Sequence, residues 1–211
     1  MSSTLTQQPS VQPNEQQIDN GKRTWIIAST CAGVVGAGAV AVPFVSSFQP
    51  SERARAAGAA VEVDIGGIKP GEKLTVEWRG KPVWIIRRTP EQLAELPKVD
   101  KDLADPKSLR KPDELTPEYA RNEYRSRKPE LLVVVGICTH LGCSPGDKFV
   151  PGPQASLPND WPGGFLCPCH GSTFDMAGRV FKDKPAPDNL EVPPYAYLSD
   201  TRLIIGEDKK A

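Results

Sequence analysis

The chain has 211 residues and balances 26 lysines and arginines against 26 aspartates and glutamates, so it lacks the basic excess that a nucleic-acid partner requires. That length allows one domain with a sizeable core plus an appendage. With 22 prolines and 18 glycines, the composition excludes a simple helical bundle and favours a turn-rich, strand-rich head.

Residues 1–20 are polar and read as disordered. From Trp25 to Phe48 no charged residue appears for 24 positions. As a helix this run would span ~36 Å, enough to cross a ~30 Å hydrocarbon layer, with an aromatic residue at each end. Gly33, Gly36 and their small neighbours would let partner helices approach closely. Three roles compete for the run. A core helix fits poorly with so long an uncharged stretch, and "ARAAGAA" would suit a cleaved signal peptide. A retained anchor is the expectation carried forward, with Cys31 acting as a small hydrophobe. Lys22 and Arg23 precede the run and Arg53 and Arg55 follow it, so the flanking charges do not set its orientation.

Residues 49–60 are small and lack an apolar face, which suits a tether. Strand signals follow. "VEVDI" alternates, "GIKPGEKL" turns, and "LTVEWRGKPVWIIRRT" reads as two strands joined near Arg79-Gly80-Lys81-Pro82. Residues 90–129 are charged and proline-punctuated, and read as a surface insertion with one or two short helices. "ELLVVVGI" reads as a buried strand leading into Cys138-Thr-His140-Leu-Gly-Cys143. A glycine- and proline-rich loop then leads to Cys167-Pro-Cys169-His170-Gly-Ser172, and "RVF", "YAYL" and "RLIIG" read as short strands.

Four of the five cysteines, and both histidines, fall in these two boxes. Histidines used only for packing would not segregate this way. Two cysteines and two histidines fit either a tetrahedral zinc site or a [2Fe-2S] cluster with two cysteines on one iron and two histidines on the other. Zinc takes four ligands, so a structural zinc domain on a membrane tether leaves two cysteines unexplained.

The C-x-H-x-x-C and C-x-C-H-G-S boxes resemble those of the Rieske iron–sulfur proteins. With the apolar run, the tether and the "KPAP" at 184–187, the chain resembles the Rieske subunit of bacterial quinol:cytochrome c oxidoreductase, the cytochrome bc complex. The resemblance implies a mainly β fold: an antiparallel β head at 61–206, with a small cluster-binding subdomain at about 136–187. To this it adds a polar N-terminal segment (1–24), one transmembrane helix (25–48), a flexible tether (49–60) and a polar tail (207–211). It implies one [2Fe-2S] cluster, with Cys138 and Cys167 on the inner iron, His140 and His170 on the outer iron, and a disulfide between Cys143 and Cys169. His140 and His170 would contact quinol. Leu141 would cover them, and Pro185 and Pro187 would flank the cluster. The implied partners are cytochrome b-type and cytochrome c1-type subunits in a dimeric complex, with the head on the periplasmic side of the bacterial inner membrane. The small subunit of arsenite oxidase is a rival that carries the same cysteine pair. Ring-hydroxylating oxygenases and soluble Rieske ferredoxins typically lack it. An export signal of twin-arginine type would suit a folded cluster protein, but "GKRTWII" has Lys22-Arg23 in place of two arginines.

Neutral imidazoles in place of two thiolates make a cluster less negative and easier to reduce, which places such centres at ~−150 to +300 mV against ~−400 mV for plant-type ferredoxins. In the family, Ser172 corresponds to a serine that donates to a bridging sulfide. Phe174 stands where many members carry a tyrosine that hydrogen-bonds a ligand sulfur, and a phenyl ring cannot do so. A lower potential than in tyrosine-bearing relatives is therefore expected.

Overall fold

The computed structural model describes residues 19–52, 58–111 and 114–208. Most of the expected polar N-terminal segment, residues 53–57 of the expected tether (Arg53 and Arg55 among them), residues 112 and 113, and the last three residues lie outside these. The chain divides into two compact units, one ending at Ser51 and one beginning at Glu52.

Among its described residues, the first unit holds one long helix, α1 (Asn20–Ser46), which begins ahead of the uncharged run and includes Lys22 and Arg23. Asp19 caps it, its carboxylate accepting from the Lys22 N–H at 3.2 Å. Its 27 residues make it long and apolar enough to cross a membrane. None of them is buried within the chain, so Trp25, Val40 and Phe44 stand exposed.

Among its described residues, the second unit holds three antiparallel sheets of three strands each. The first joins β1 (Val61–Asp64), β9 (Arg202–Ile205) and β8 (Tyr195–Ser199), in the order β1-β9-β8. The second runs β2 (Lys73–Trp78), β3 (Lys81–Arg87), β4 (Leu131–Val135). The third, which carries the cysteine–histidine boxes, runs β5 (Gly146–Lys148), β6 (Gly164–Leu166), β7 (Thr173–Asp175). β2 and β3 pair from Lys73↔Ile86 to Trp78↔Lys81. The hairpin closes on Arg79 and Gly80, at φ 53° and 71°, the left-handed pair that a tight two-residue turn requires.

One apolar core links the sheets. Val63, Trp78, Ile85, Leu132, Val134 and Leu203 fill the larger part, and Phe165, Phe174, Cys138 and Cys167 continue it into the third sheet. Trp84 of β3 stacks on Phe165 of β6 with ring centroids 5.1 Å apart, joining the third sheet to the rest.

Two expectations need correction. "RVF" forms no strand: Val180 and Phe181 make only single bridges, to Phe174 and Leu103. Arg179 is instead turned inward, its Nε donating to the buried Asp175 carboxylate at 2.7 Å and its N–H to the same group at 2.8 Å. The 90–129 insertion does contain short helices, α2 (Pro90–Glu95) with a Thr89–Gln92 capping box and 3₁₀ turns at Leu96–Asp102 and Glu118–Ala120. It is not purely surface, because Leu96, Leu103, Ala120 and Arg125 are buried. Arg125 is held by the carbonyls of Ala177, Gly178 and Leu190 and by the Thr116 hydroxyl. A charged side chain gives no local sign of burial when its partners lie on distant segments.

Candidate metal centre

The two boxes form loops of the same construction. In the first, after β4, the Cys138 N–H donates to the Cys143 carbonyl (2.7 Å), and the Gly142 N–H donates to the Cys138 carbonyl (3.1 Å). In the second, between β6 and β7, the Cys167 N–H donates to the Ser172 carbonyl (2.8 Å), and the Gly171 N–H donates to the Cys167 carbonyl (3.0 Å). Gly142 and Gly171 take φ of 81° and 73°, which only a residue without Cβ adopts freely. Cys138 and Cys167 are thus equivalent first residues of two matching turns.

The loops face each other. Cys143 and Cys169 form a disulfide with Cα atoms 6.7 Å apart, tying one loop to the other. Cys138 and Cys167 are free thiols and both are buried. The Cys167 sulfur lies within 4.8 Å of both disulfide sulfurs, but those two are bonded to each other and offer a metal no thiolate. His140 is half-buried and His170 exposed, and their rings meet edge to face with centroids 4.7 Å apart. The site therefore has a buried thiol pair on one side and a pair of accessible imidazoles on the other, a donor set suited to a two-iron cluster with unlike ends.

Burial pushes the Cys138 thiol up. The His140 N–H opposes this, the neighbouring Cys167 thiol adds to it, and the Ser172 hydroxyl opposes it by hydrogen bonding. Cys138 therefore keeps its proton until a cation is present to stabilise the thiolate, so loading the site should release protons.

Around these groups the other expected residues take up definite places. Leu141 is 72% exposed beside His140. Ser172 is fully buried, and its hydroxyl oxygen accepts from the Ala186 N–H at 2.9 Å. Pro185 and Pro187 are exposed on either side of buried Ala186. Phe174 lies in β7, fully buried and paired with Phe165.

Four contributors were not visible in the sequence. The Thr139 hydroxyl, between Cys138 and His140, donates to the Asp188 carbonyl at 2.6 Å. Lys111 reaches the Asp188 carboxylate at 2.7 Å, and Arg110 donates to the Pro187 carbonyl at 2.8 Å. Gly136 allows Trp84 to lie against the strand end, since a Cβ there would fall 2.2 Å from the indole. Only Thr139, a hydroxyl residue between two metal-binding types, carried a local hint. The Lys111 and Arg110 contacts join positions 77 apart and leave no local pattern.

Comparison with known proteins agrees with this geometry. Residues 113–195 match the family model described as the Rieske [2Fe-2S] domain. Residues 25–51 match one described as the "Ubiquitinol-cytochrome C reductase Fe-S subunit TAT signal", although Lys22-Arg23 stands ahead of that match. The ubiquinol-cytochrome c reductase iron-sulfur subunit of Allochromatium vinosum is 55% identical over 188 residues, covering 89% of each chain. Its counterparts in Bradyrhizobium diazoefficiens and Rhodospirillum rubrum are 41% and 40% identical, over 85% and 89% of this chain and 90% and 93% of theirs. Two buried free thiols, two neighbouring imidazoles and a disulfide that removes the remaining cysteines, together with this likeness over most of the length, place the chain in the family of Rieske [2Fe-2S] subunits of ubiquinol-cytochrome c reductase.

Proposed function

We propose that the protein carries single electrons from quinol to a cytochrome c1-type haem, as a membrane-anchored subunit working beside a cytochrome b-type partner. The observation that carries this reading is the separation of the two boxes into a buried thiol pair and an accessible imidazole pair. Cys138 and Cys167 would hold the inner iron, and His140 and His170 the outer one. A [2Fe-2S] cluster held this way supplies a one-electron acceptor of raised potential.

The remaining chemistry belongs to the protein. Each ligating imidazole keeps one ring nitrogen for a hydrogen bond, so His170 and His140 can receive a quinol hydroxyl and its proton as the electron leaves. Leu141 offers an apolar rim at the same edge and helps to exclude water there. The buried hydroxyl of Ser172 would donate to a bridging sulfide of the cluster and favour its more negative, reduced state. Pro185 and Pro187 stiffen the segment that closes over this side. α1 would hold the protein in the bacterial inner membrane with the head on the periplasmic side, within a dimeric complex. The 49–60 tether would let the head reach donor and acceptor in turn.

Solubilising the membranes in detergent and purifying the protein through a tag on this chain tests the reading. Haem b and haem c1 should co-purify, and quinol should reduce the cluster in the purified assembly. Recovery of a partner subunit without those haems would favour the arsenite-oxidase type instead.

A further inference from the structure

The segment from Asp105 to Lys111 belongs to the charged insertion, which the mechanism above does not use. It is tightly built. The Asp105 carboxylate accepts from the N–H groups of Leu109 and Arg110, both at 2.9 Å. Ser108 and Lys111 are held at φ of 53° and 46°, a left-handed conformation unfavourable to residues with a Cβ. Backbone held in this way persists only where its surroundings over-determine it.

Every residue from Pro187 to Asn189 takes a hydrogen bond or ion pair from this segment. Arg110 donates to the Pro187 carbonyl at 2.8 Å, and Lys111 meets the Asp188 carboxylate at 2.7 Å. The Asn189 amide donates to the Asp105 carbonyl (2.9 Å) and the Ser108 hydroxyl (3.0 Å). The 186–189 stretch in turn touches both ligand loops. The Asp188 carbonyl accepts from Thr139, and the Ala186 N–H donates to Ser172. The two residues with strained backbone are thus both donors or acceptors to the stretch that steadies the cluster loops.

We infer that the 105–111 loop is a positioning element for the cluster, with Lys111 as its main residue. Through Asp188 and Thr139 it fixes the loop carrying His140, and through Ala186 it fixes the Ser172 hydroxyl. This rests on the ligand assignment proposed above. The Asp188 side chain is only 8% exposed, whereas Lys111 is 54% exposed and approaches from the surface. Without the ammonium, a nearly buried carboxylate loses its counter-ion and turns toward water. Its own carbonyl, the acceptor for Thr139, moves with it. The Ser172 hydroxyl then donates less well, and the reduced state, which gains most from that bond, is weakened.

The test uses the full-length, cluster-loaded protein and reads midpoint potential by protein-film voltammetry, reduced-state EPR line width, and cluster content from visible absorption. Lys111→Met should lower the midpoint and broaden the EPR lines, and Lys111→Arg should restore both. Asp188→Asn should also lower the midpoint, by less, because an amide still accepts a weaker bond. A purely electrostatic pair would instead shift the potential in opposite directions in these two variants, and that result, or no shift in either, overturns the inference. Thr139→Val should reproduce the Lys111→Met shift, and the double variant should go no further than the larger single one. Additive shifts would count against a shared route. Should Lys111→Met fail to retain its cluster, Thr139→Val and Asp188→Asn decide, and unchanged midpoints in both overturn the inference. A parent protein lacking a histidine-ligated cluster signal would overturn the ligand assignment itself. A parent that has the signal, with silent variants, overturns only the positioning role.

Discussion

Cys138 and Cys167 occupy the same place in two turns closed by the same pair of backbone hydrogen bonds, and both are buried free thiols. The repetition ends there. The first turn closes on Cys143, whereas the second places Cys169 two residues after its first cysteine, and these two odd sulfurs are joined. The matching halves supply like buried thiols, and the mismatched halves supply the clamp.

The clamp has a measurable contribution. A link between residues separated by 26 positions should stabilise the folded head by roughly 3–4 kcal/mol on the chain-entropy account. Replacing both Cys143 and Cys169 with serine should lower the unfolding midpoint of the purified protein by about 10 °C. Calorimetry showing an unchanged midpoint would mean that the loops are held by their other contacts alone.

Phe174 is a phenyl ring and cannot donate a hydrogen bond to sulfur, as a tyrosine hydroxyl at the same position could. Phe174→Tyr should raise the midpoint potential, by at most roughly 65–130 mV if the new bond to a charged acceptor contributes ~1.5–3 kcal/mol. Protein-film voltammetry showing no rise would sink this explanation of the residue. The position is fully buried, so a hydroxyl that failed to reach sulfur would show itself as a loss of stability.

Gly136 is a packing requirement. Gly136→Ala places a methyl group 2.2 Å from Trp84, which is itself stacked on Phe165 in the strand leading to Cys167. The indole must shift, at a cost of about 1–3 kcal/mol or more. Urea denaturation should show that loss, together with reduced cluster retention, because the displacement is passed to the loop that begins at Cys167.

Alkaline stability should depend on tyrosine burial. Burial raises the pKa of Tyr119, Tyr195 and Tyr197, the last to about 12. The unfolded chain ionises these groups near pH ~10 while the folded chain keeps them protonated, so their contribution is complete below that pH and is lost as pH rises through the folded values. Burial also draws Arg88 and Arg125 down to about 10, so both are cations at neutral pH, and their proton release works in the opposite direction above pH ~10. The Tyr197 hydroxyl has no hydrogen-bond partner among the described residues. Tyr197→Phe should therefore cost nothing at pH 7 and spare roughly 1–2 kcal/mol of the loss between pH 10 and 12, allowing for partial solvent exposure. Chemical denaturation at pH 7 and at pH 11 measures the difference, and equal losses in both proteins would contradict it.

The site was largely legible because metal ligands must be of a few residue types at close spacing, and two such boxes stand out in any chain. The disulfide came from the resemblance, and the structure shows it. The strands of the second sheet were legible from hydrophobic runs and a Gly-containing turn. β5 and β7 were not, because three-residue strands carry too little pattern, and β7 lies just beyond the second box. The inward turn of Arg179 and the burial of Arg125 depend on carbonyls and carboxylates supplied by remote segments. A charge run such as 105–111 reads as solvated surface until those partners are known. The 55% identity to a bacterial iron-sulfur subunit also favours the cytochrome bc type over the arsenite-oxidase type, a choice that the boxes alone left open.

The proposed electron carrier requires two histidines and two cysteines to share one cluster. Pulsed EPR of the dithionite-reduced protein, labelled with nitrogen-15 only in histidine, tests this directly. Two inequivalent, strongly coupled histidine nitrogens are predicted, with one lost in His140→Cys and the other in His170→Cys. A colourless, EPR-silent protein containing stoichiometric zinc, or a cluster signal with no histidine coupling, would contradict the account.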